Sequence, residues 1–172
     1  MRKFKNLSKQ RQTQLSAQFP DLYKLVSVED TPHYRYLAVS VFDHWLSREE
    51  SCSLLVNVPA EEQNQRNAAL YFFSQKLAAE TEIINFKFCG KWNSCRPAFR
   101  EFTSTKAKND YLEPALSASR NDFFKIVLPE LDAVFMESWD DTNIFYLRNT
   151  AHIETLKRWA QECGVFCLNK WR

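Results

Sequence analysis

The spacing of apolar residues predicts helices near both ends of the chain. Residues 7–18 show a weak helical pattern. The pattern near the C-terminus is stronger, because four residues recur at helical spacing and would share one buried face. These residues are Ile153, Leu156, Ala160 and Cys163. Asn149 or Thr150 would cap this helix, Gly164 would end it, and a last strand would cover residues 165–168.

A helix is also predicted over residues 32–48. Thr31-Pro32 resembles a helix start, with Thr as the N-cap and Pro in the first turn. Leu37, Val41 and Trp45 then recur four residues apart, and a neighbouring apolar row widens the face. A strand over residues 34–42 is the less favoured alternative.

The middle of the chain resembles a strand–helix–strand unit. Residues 52–58 are apolar and predict a buried strand, and Pro59 opens a helix whose packing stripe is Leu70, Phe73 and Leu77. The polar first half of that helix is expected to be solvated. Residues 82–89 predict a second strand, so the unit is consistent with a βαβ crossover.

The last third of the chain predicts a β-meander. Residues 123–128, 133–138 and 143–148 are short strand-like runs separated by segments rich in turn-forming residues. Before them, residues 90–104 are predicted to be irregular, and residues 106–119 to hold a helix broken at Pro114.

Together these elements predict a single α+β domain spanning residues 1–172. We expect a mixed or mainly antiparallel sheet covered on one side by helices, ending in a β-meander–helix–strand. The chain of 172 residues fits one domain, and its 45% hydrophobic content is enough for a real core. Two glycines, Gly90 and Gly164, cannot build a glycine-rich phosphate loop, so nucleotide binding of that kind is excluded.

No secretory signal or membrane-length apolar run stands out, so we expect a cytoplasmic protein without a membrane partner. The five cysteines are then expected to be reduced. Their spacing is poor for zinc, and we predict buried thiols, no metal and no cofactor. Cys95 is the best placed of them for nucleophilic chemistry.

Charge is distributed unevenly, although the formal net charge is only +2. Five cations and no acids fall within the first twenty residues, and residues 1–12 are interpreted as a basic arm, with flexibility left open. Farther along, residues 92–102 interleave aromatic and basic side chains. A nucleic-acid-binding alternative therefore rests on one set of residues: Arg2, Lys3, Lys5, Lys9, Arg11, Trp92, Arg96 and Arg100.

The predicted meander carries a run of carboxylates with no basic residue among them. Turn chemistry alone would explain the run, since Asp supports tight turns. It would also make an acidic surface for a protein partner, with Trp139 as an interface anchor. The candidate partner-binding residues are Glu130, Asp132, Glu137, Trp139, Asp140 and Asp141.

A catalytic alternative uses part of the same segment. Asp140 and Asp141 could act with His152 in a hydrolase or transferase, because His titrates near neutral pH. Asp43 and His44 form a second, weaker acid–base pair. Neither set belongs to a recognisable catalytic motif.

The favoured hypothesis is a small non-enzymatic protein-binding module or regulator, comparable to toxin-neutralising immunity proteins by analogy alone. It depends on the acidic segment, the aromatic-rich composition and the lack of a catalytic motif. The nucleic-acid-binding and enzymatic alternatives stay open.

Overall fold

Eight strands and six helices make up the part of the chain that the computed structural model describes, which is residues 2–27, 31–90, 96–118 and 122–169. The strands are β1 Phe4–Asn6, β2 Arg35–Ser40, β3 Ile84–Cys89, β4 Arg96–Phe102, β5 Lys125–Leu128, β6 Ala133–Glu137, β7 Thr142–Leu147 and β8 Phe166–Asn169. The helices are α1 Lys9–Gln18, α2 Leu22–Val26, α3 Arg48–Leu54, α4 Ala60–Glu80, α5 Thr105–Leu112 and α6 Ile153–Glu162.

All the strands join one sheet in the order β1-β4-β3-β5-β6-β7-β2-β8, and every neighbouring pair is antiparallel. The predicted α+β class, the antiparallel sheet and the C-terminal meander–helix–strand are therefore confirmed. The predicted βαβ crossover is wrong, because α4 is not preceded by a strand parallel to β3.

Helices cover both faces of the sheet, and not one face as predicted. On one face α4, α5 and α6 pack over a core that includes Phe73, Phe135 and Leu156. On the other face α1 and α2 contribute Leu15 and Leu25 to a second cluster. The sheet is therefore the middle layer, and its interior strands are apolar on both sides.

The predicted helix over residues 32–48 is wrong, and the less favoured strand is correct. β2 lies between β7 and β8, so Leu37, Ala38 and Val39 are all buried although they point to alternating faces. A central strand covered on both faces is apolar without interruption, and such a run imitates a helical stripe.

The predicted strand over residues 52–58 is also wrong, because α3 extends to Leu54 and residues 55–58 form neither helix nor strand. Ser47 caps α3: its hydroxyl accepts from the Glu50 backbone N–H at 3.2 Å, and the Glu50 carboxylate accepts from the Ser47 N–H at 2.8 Å. This reciprocal pair is a capping box, which fixes the first turn of the helix.

Two smaller expectations also fail. Residues 90–104 are not irregular throughout, since β4 pairs with both β1 and β3. The first half of α4 is not fully solvated, because Arg66 and Asn67 are buried.

The helix expected over residues 106–119 is found as α5, which ends before Pro114.

The C-terminal helix has the predicted phase. Leu156, Ala160 and Cys163 are buried, and Ile153 packs against the same core. Gly164 follows at φ +74°, a left-handed conformation that ends the helix without a Cβ clash.

Candidate functional site

The candidate site surrounds the turn between β6 and β7. Asp140 and Asp141 both have left-handed backbone conformations, with φ of 62° and 52°. Asp tolerates this region better than most residues. The Ser138 N–H donates to the Thr142 carbonyl at 3.1 Å, which closes the hairpin. This turn holds Trp139 out of the core, with 74% of its surface exposed.

Trp139 has a single aromatic neighbour among the described residues. Its ring meets Phe123 edge-on, with the ring centroids 4.8 Å apart and an interplanar angle of 79°. The predicted exposure of this indole is confirmed, and the turn beneath it is tightly hydrogen-bonded. Trp139 is therefore exposed on a hydrogen-bonded turn, with its ring in contact with Phe123.

Asp141 points the other way, into a buried ion pair with α4. Its Oδ2 accepts from Arg66 Nη1 at 2.9 Å, and its Oδ1 accepts from Gln63 Nε2 at 2.6 Å. Both charged side chains are only 8% exposed. Arg66 also donates to the Leu54 carbonyl at 2.8 Å and contacts the Glu62 carboxylate.

These contacts favour the charged form of the Arg66 guanidinium. Burial alone would lower the pKa of its guanidinium, but the hydrogen bonds that it donates to Asp141 and Glu62 raise that pKa above its ordinary value. The guanidinium carbon also lies 5.1 Å from the centre of the Phe42 ring. The Asp141 carboxylate therefore belongs to a structural ion pair with Arg66.

Glu137 ties two loops to the end of β6. One carboxylate oxygen accepts from the Ala115 N–H at 2.6 Å and the other accepts from the Phe124 N–H at 3.2 Å. These bonds join the segment after α5 to the start of β5. Glu137 therefore shapes the walls of the site.

Beside these residues lies a pocket of about 170 Å³ between α4 and the β6–β7 hairpin. Its lining combines apolar side chains with polar ones, among them Leu55, Gln63, Leu70, Glu137, Trp139 and Asn143. Asn143 is 3% exposed and lies in the wall of this pocket. Its amide carries both a donor and an acceptor, so this wall can exchange hydrogen bonds with a polar group.

A larger groove of about 650 Å³ lies on the other side of Trp139. Aromatic and aliphatic side chains dominate its lining: Val26, Tyr36, Leu116, Phe123, Met136, Ile144 and Tyr146. Tyr36 and Tyr146 meet edge-on at 5.9 Å, and Leu116 is 72% exposed at the rim. Burial, followed by the effect of Tyr146, raises the pKa of Tyr36 to about 12.

The six residues predicted to bind a partner do not form one surface. Glu137, Trp139, Asp140 and Asp141 line the pocket. Glu130 and Asp132 lie at the other end of β6, where Glu130 accepts from the Glu82 N–H at 3.0 Å and Asp132 accepts from Gln18 Nε2 at 2.6 Å. Asp132 also occupies a left-handed position, with φ 48°. Turn formation and hydrogen bonds to distant parts of the chain thus account for much of the acidic run.

The structure does not bring the catalytic candidates together. Asp140 and Asp141 precede β7, whereas His152 follows it, and six strand residues at about 3.3 Å each separate the two by ~20 Å. In the other candidate pair, His44 contacts Asp43 at 2.5 Å and Glu50 at 3.0 Å. These hydrogen bonds, Asp43 first and then Glu50, raise the pKa of His44 on an exposed loop.

The cysteines are scattered. Cys52 and Cys89 are exposed, Cys163 is buried and Cys167 is half-buried, so the predicted burial holds for only part of the set. Burial raises the pKa of Cys167 to about 11. Cys95 lies outside the described residues. Within the described residues, no group of three or more His, Cys, Asp or Glu side chains could hold a metal ion.

The basic N-terminal residues are built into the fold. β1 pairs with β4, Lys5 contacts Glu101 at 3.2 Å, and Arg11 contacts Glu82 at 2.7 Å. The remaining candidates for nucleic-acid binding lie in different places. Lys3 and Lys9 are exposed, and Arg2, Arg96 and Arg100 lie at the outer strands. Trp92 falls outside the described residues.

Comparisons with models of protein families, with curated proteins and with solved structures find no match to this chain. In the described ranges, no helix has both the length and the apolar character needed to cross a bilayer.

Proposed function

We propose that this chain is a protein-binding module that holds an apolar segment of its partner against Trp139. The observation that carries the proposal is the 74% exposure of an indole that lines both a polar pocket and an aromatic groove. Trp is frequent among residues that anchor interfaces, because it buries a large apolar area and still offers an N–H donor.

The groove indicates what the partner presents. Tyr36, Met136, Ile144 and Tyr146 offer an apolar floor that an aliphatic or aromatic side chain would cover. The polar pocket, which Asn143 and Gln63 line, suits an adjacent side chain that can both donate and accept hydrogen bonds. An extended segment of a partner would place one side chain in each hollow, on either side of Trp139.

Charge at the rim adds a preference for basic flanking residues. Asp122 and Asp140 are exposed, and neither forms an ion pair with another described residue. Lys125 also lines the groove and partly offsets them. We therefore expect charge to govern the rate of association more than the affinity.

Selection from a random peptide library on the full chain tests the proposal. Enriched peptides should carry an aliphatic or aromatic residue near Lys or Arg. Trp139→Ala should weaken their binding by about thirtyfold, the loss expected for a hot spot worth ~2 kcal/mol. Phe72→Ala is the matched control, because Phe72 is 56% exposed on α4 outside both hollows.

Two results would contradict the proposal. One is a selection without any enriched sequence family. The other is a family that binds the Trp139→Ala variant as tightly as the wild-type chain, or that loses equal affinity in the Phe72→Ala control.

A further inference from the structure

A separate group of cations lies on the outer strands of the sheet. Residues paired directly across antiparallel strands project from the same face. Arg100 is paired with Asn85, Ala98 with Lys87, and Arg96 with Cys89. Arg96, Lys87 and Arg100 therefore share one face of β3 and β4.

This face contains a hollow of about 360 Å³ beside β1. The hollow is lined by Arg2, Phe4, Lys5, Asn6, Lys87 and Arg100. Lys5 contacts Glu101, but Arg2, Lys87 and Arg96 form no ion pair with a residue in the described ranges. The surface therefore keeps several uncompensated positive charges.

Arg100 is held rigidly at the floor of this hollow. Its guanidinium carbon lies 4.1 Å from the centre of the Phe4 ring, and its Nε donates to Asn85 Oδ1 at 2.8 Å. Nη2 donates to the same oxygen, whereas Nη1 has no hydrogen-bond partner among the described residues. A fixed guanidinium with a free N–H group is suited to a phosphate oxygen.

We propose that this face binds the phosphate backbone of single-stranded nucleic acid. Successive side chains on one face of a strand are spaced by about 6.6 Å, so these cations are spread along a track and do not converge on one anion. A chain of phosphates fits such a track better than a single phosphate does. Phe4 is half-buried, and its ring packs against Arg100, Phe102 and Tyr111, so it helps to hold the Arg100 guanidinium in place. This site is independent of the one at Trp139.

Fluorescence anisotropy with a labelled oligouridylate of about 12 nucleotides tests the proposal on the full chain. The double variant Lys87→Ala/Arg96→Ala should bind about tenfold more weakly at ~50 mM salt. Its salt slope should fall by about 1.4, since each phosphate contact on a single strand contributes about 0.7.

Arg48→Ala/Arg158→Ala is the matched control, because both arginines are exposed elsewhere and the change in net charge is the same. Its binding should stay within about twofold of the wild-type value. Circular dichroism should show both double variants folded. The proposal fails if the wild-type chain does not bind the oligonucleotide, if both double variants weaken binding equally, or if heparin binds and the oligonucleotide does not.

Discussion

Asp140 and Asp141 are neighbours in sequence with opposite environments. The Asp140 side chain is exposed, whereas Asp141 lies in the buried pair with Arg66. The buried carboxylate also receives a hydrogen bond from Gln63. At the scale of single residues, the acidic run is therefore divided between a structural role and a surface role.

This contrast gives a matched pair of substitutions. Asp141→Asn should lower the free energy of unfolding by about 3 kcal/mol, because it leaves the buried Arg66 charge with Glu62 alone. Asp140→Asn should change it by less than about 0.5 kcal/mol, since Asn also tolerates the left-handed conformation. Urea denaturation measures both variants. Equal losses would show that the Arg66–Asp141 pair contributes nothing specific to stability.

The sequence predicted part of the candidate site. Trp139 and Glu137 were identified because an acidic turn with an indole is visible in a short window. Arg66 was missed because its partner Asp141 lies 75 positions away, and a polar stretch of helix gives no sign of which residue will be buried. Asn143 was missed because a single polar residue in a strand does not reveal whether its side chain faces a pocket.

At the scale of elements, prediction succeeded where the period or the bounding turns are clear. α6 has one buried face, so its helical period is visible. β5 and β6 are buried on both faces, and they were found because turn-forming residues bound each short apolar run. β2 is also covered on both faces, but Thr31-Pro32 resembles a helix start and the apolar run imitates a helical stripe. α3 was missed although Ser47 and Glu50 have the spacing of a capping box, a signal that outweighs a short apolar run.

The packing of α6 can be tested directly. Leu156 is fully buried in the larger core cluster, and Leu156→Ala should lower the free energy of unfolding by about 2–5 kcal/mol. Leu116→Ala removes the same atoms from a side chain that is 72% exposed, and it should cost less than about 0.5 kcal/mol. Thermal unfolding followed by circular dichroism compares the two variants. Similar midpoints would contradict the assigned phase of α6.

At the scale of the whole molecule, the N-terminal segment closes one edge of the sheet. β1 pairs with β4 in the register Phe4 with Phe102, and the Thr103 hydroxyl donates to the Arg2 carbonyl at 2.6 Å. Phe4 also meets Tyr111 edge-on with the ring centroids 5.4 Å apart. The basic charge that suggested an arm therefore belongs to a strand with its own packing contacts.

Deleting residues 2–6 should destabilise the fold. The deletion removes the half-buried Phe4 ring and its contact with Arg100, together worth about 2 kcal/mol. For a chain of this size that loss lowers the melting temperature by about 4–8 °C. Differential scanning calorimetry measures the shift. It should be nearly absent in Lys3→Ala/Lys5→Ala, which keeps the strand and removes two exposed charges with the exposed Lys5–Glu101 ion pair, a contact of little stabilising value.

The same deletion should also change how the chain associates. Without β1, the outer backbone N–H and C=O groups of β4 become an open edge, which can pair with the edge of another copy. Size-exclusion chromatography of the deletion variant should therefore show concentration-dependent larger species that the double-lysine variant lacks. An unchanged melting temperature and a single unchanged peak would mean that residues 2–6 act as a free arm.

The deletion is expected to disturb the sheet itself, so it is a poor test of nucleic-acid binding. Lys87 and Arg96 are better targets, because their exposed side chains can be truncated while β3 and β4 keep their pairing.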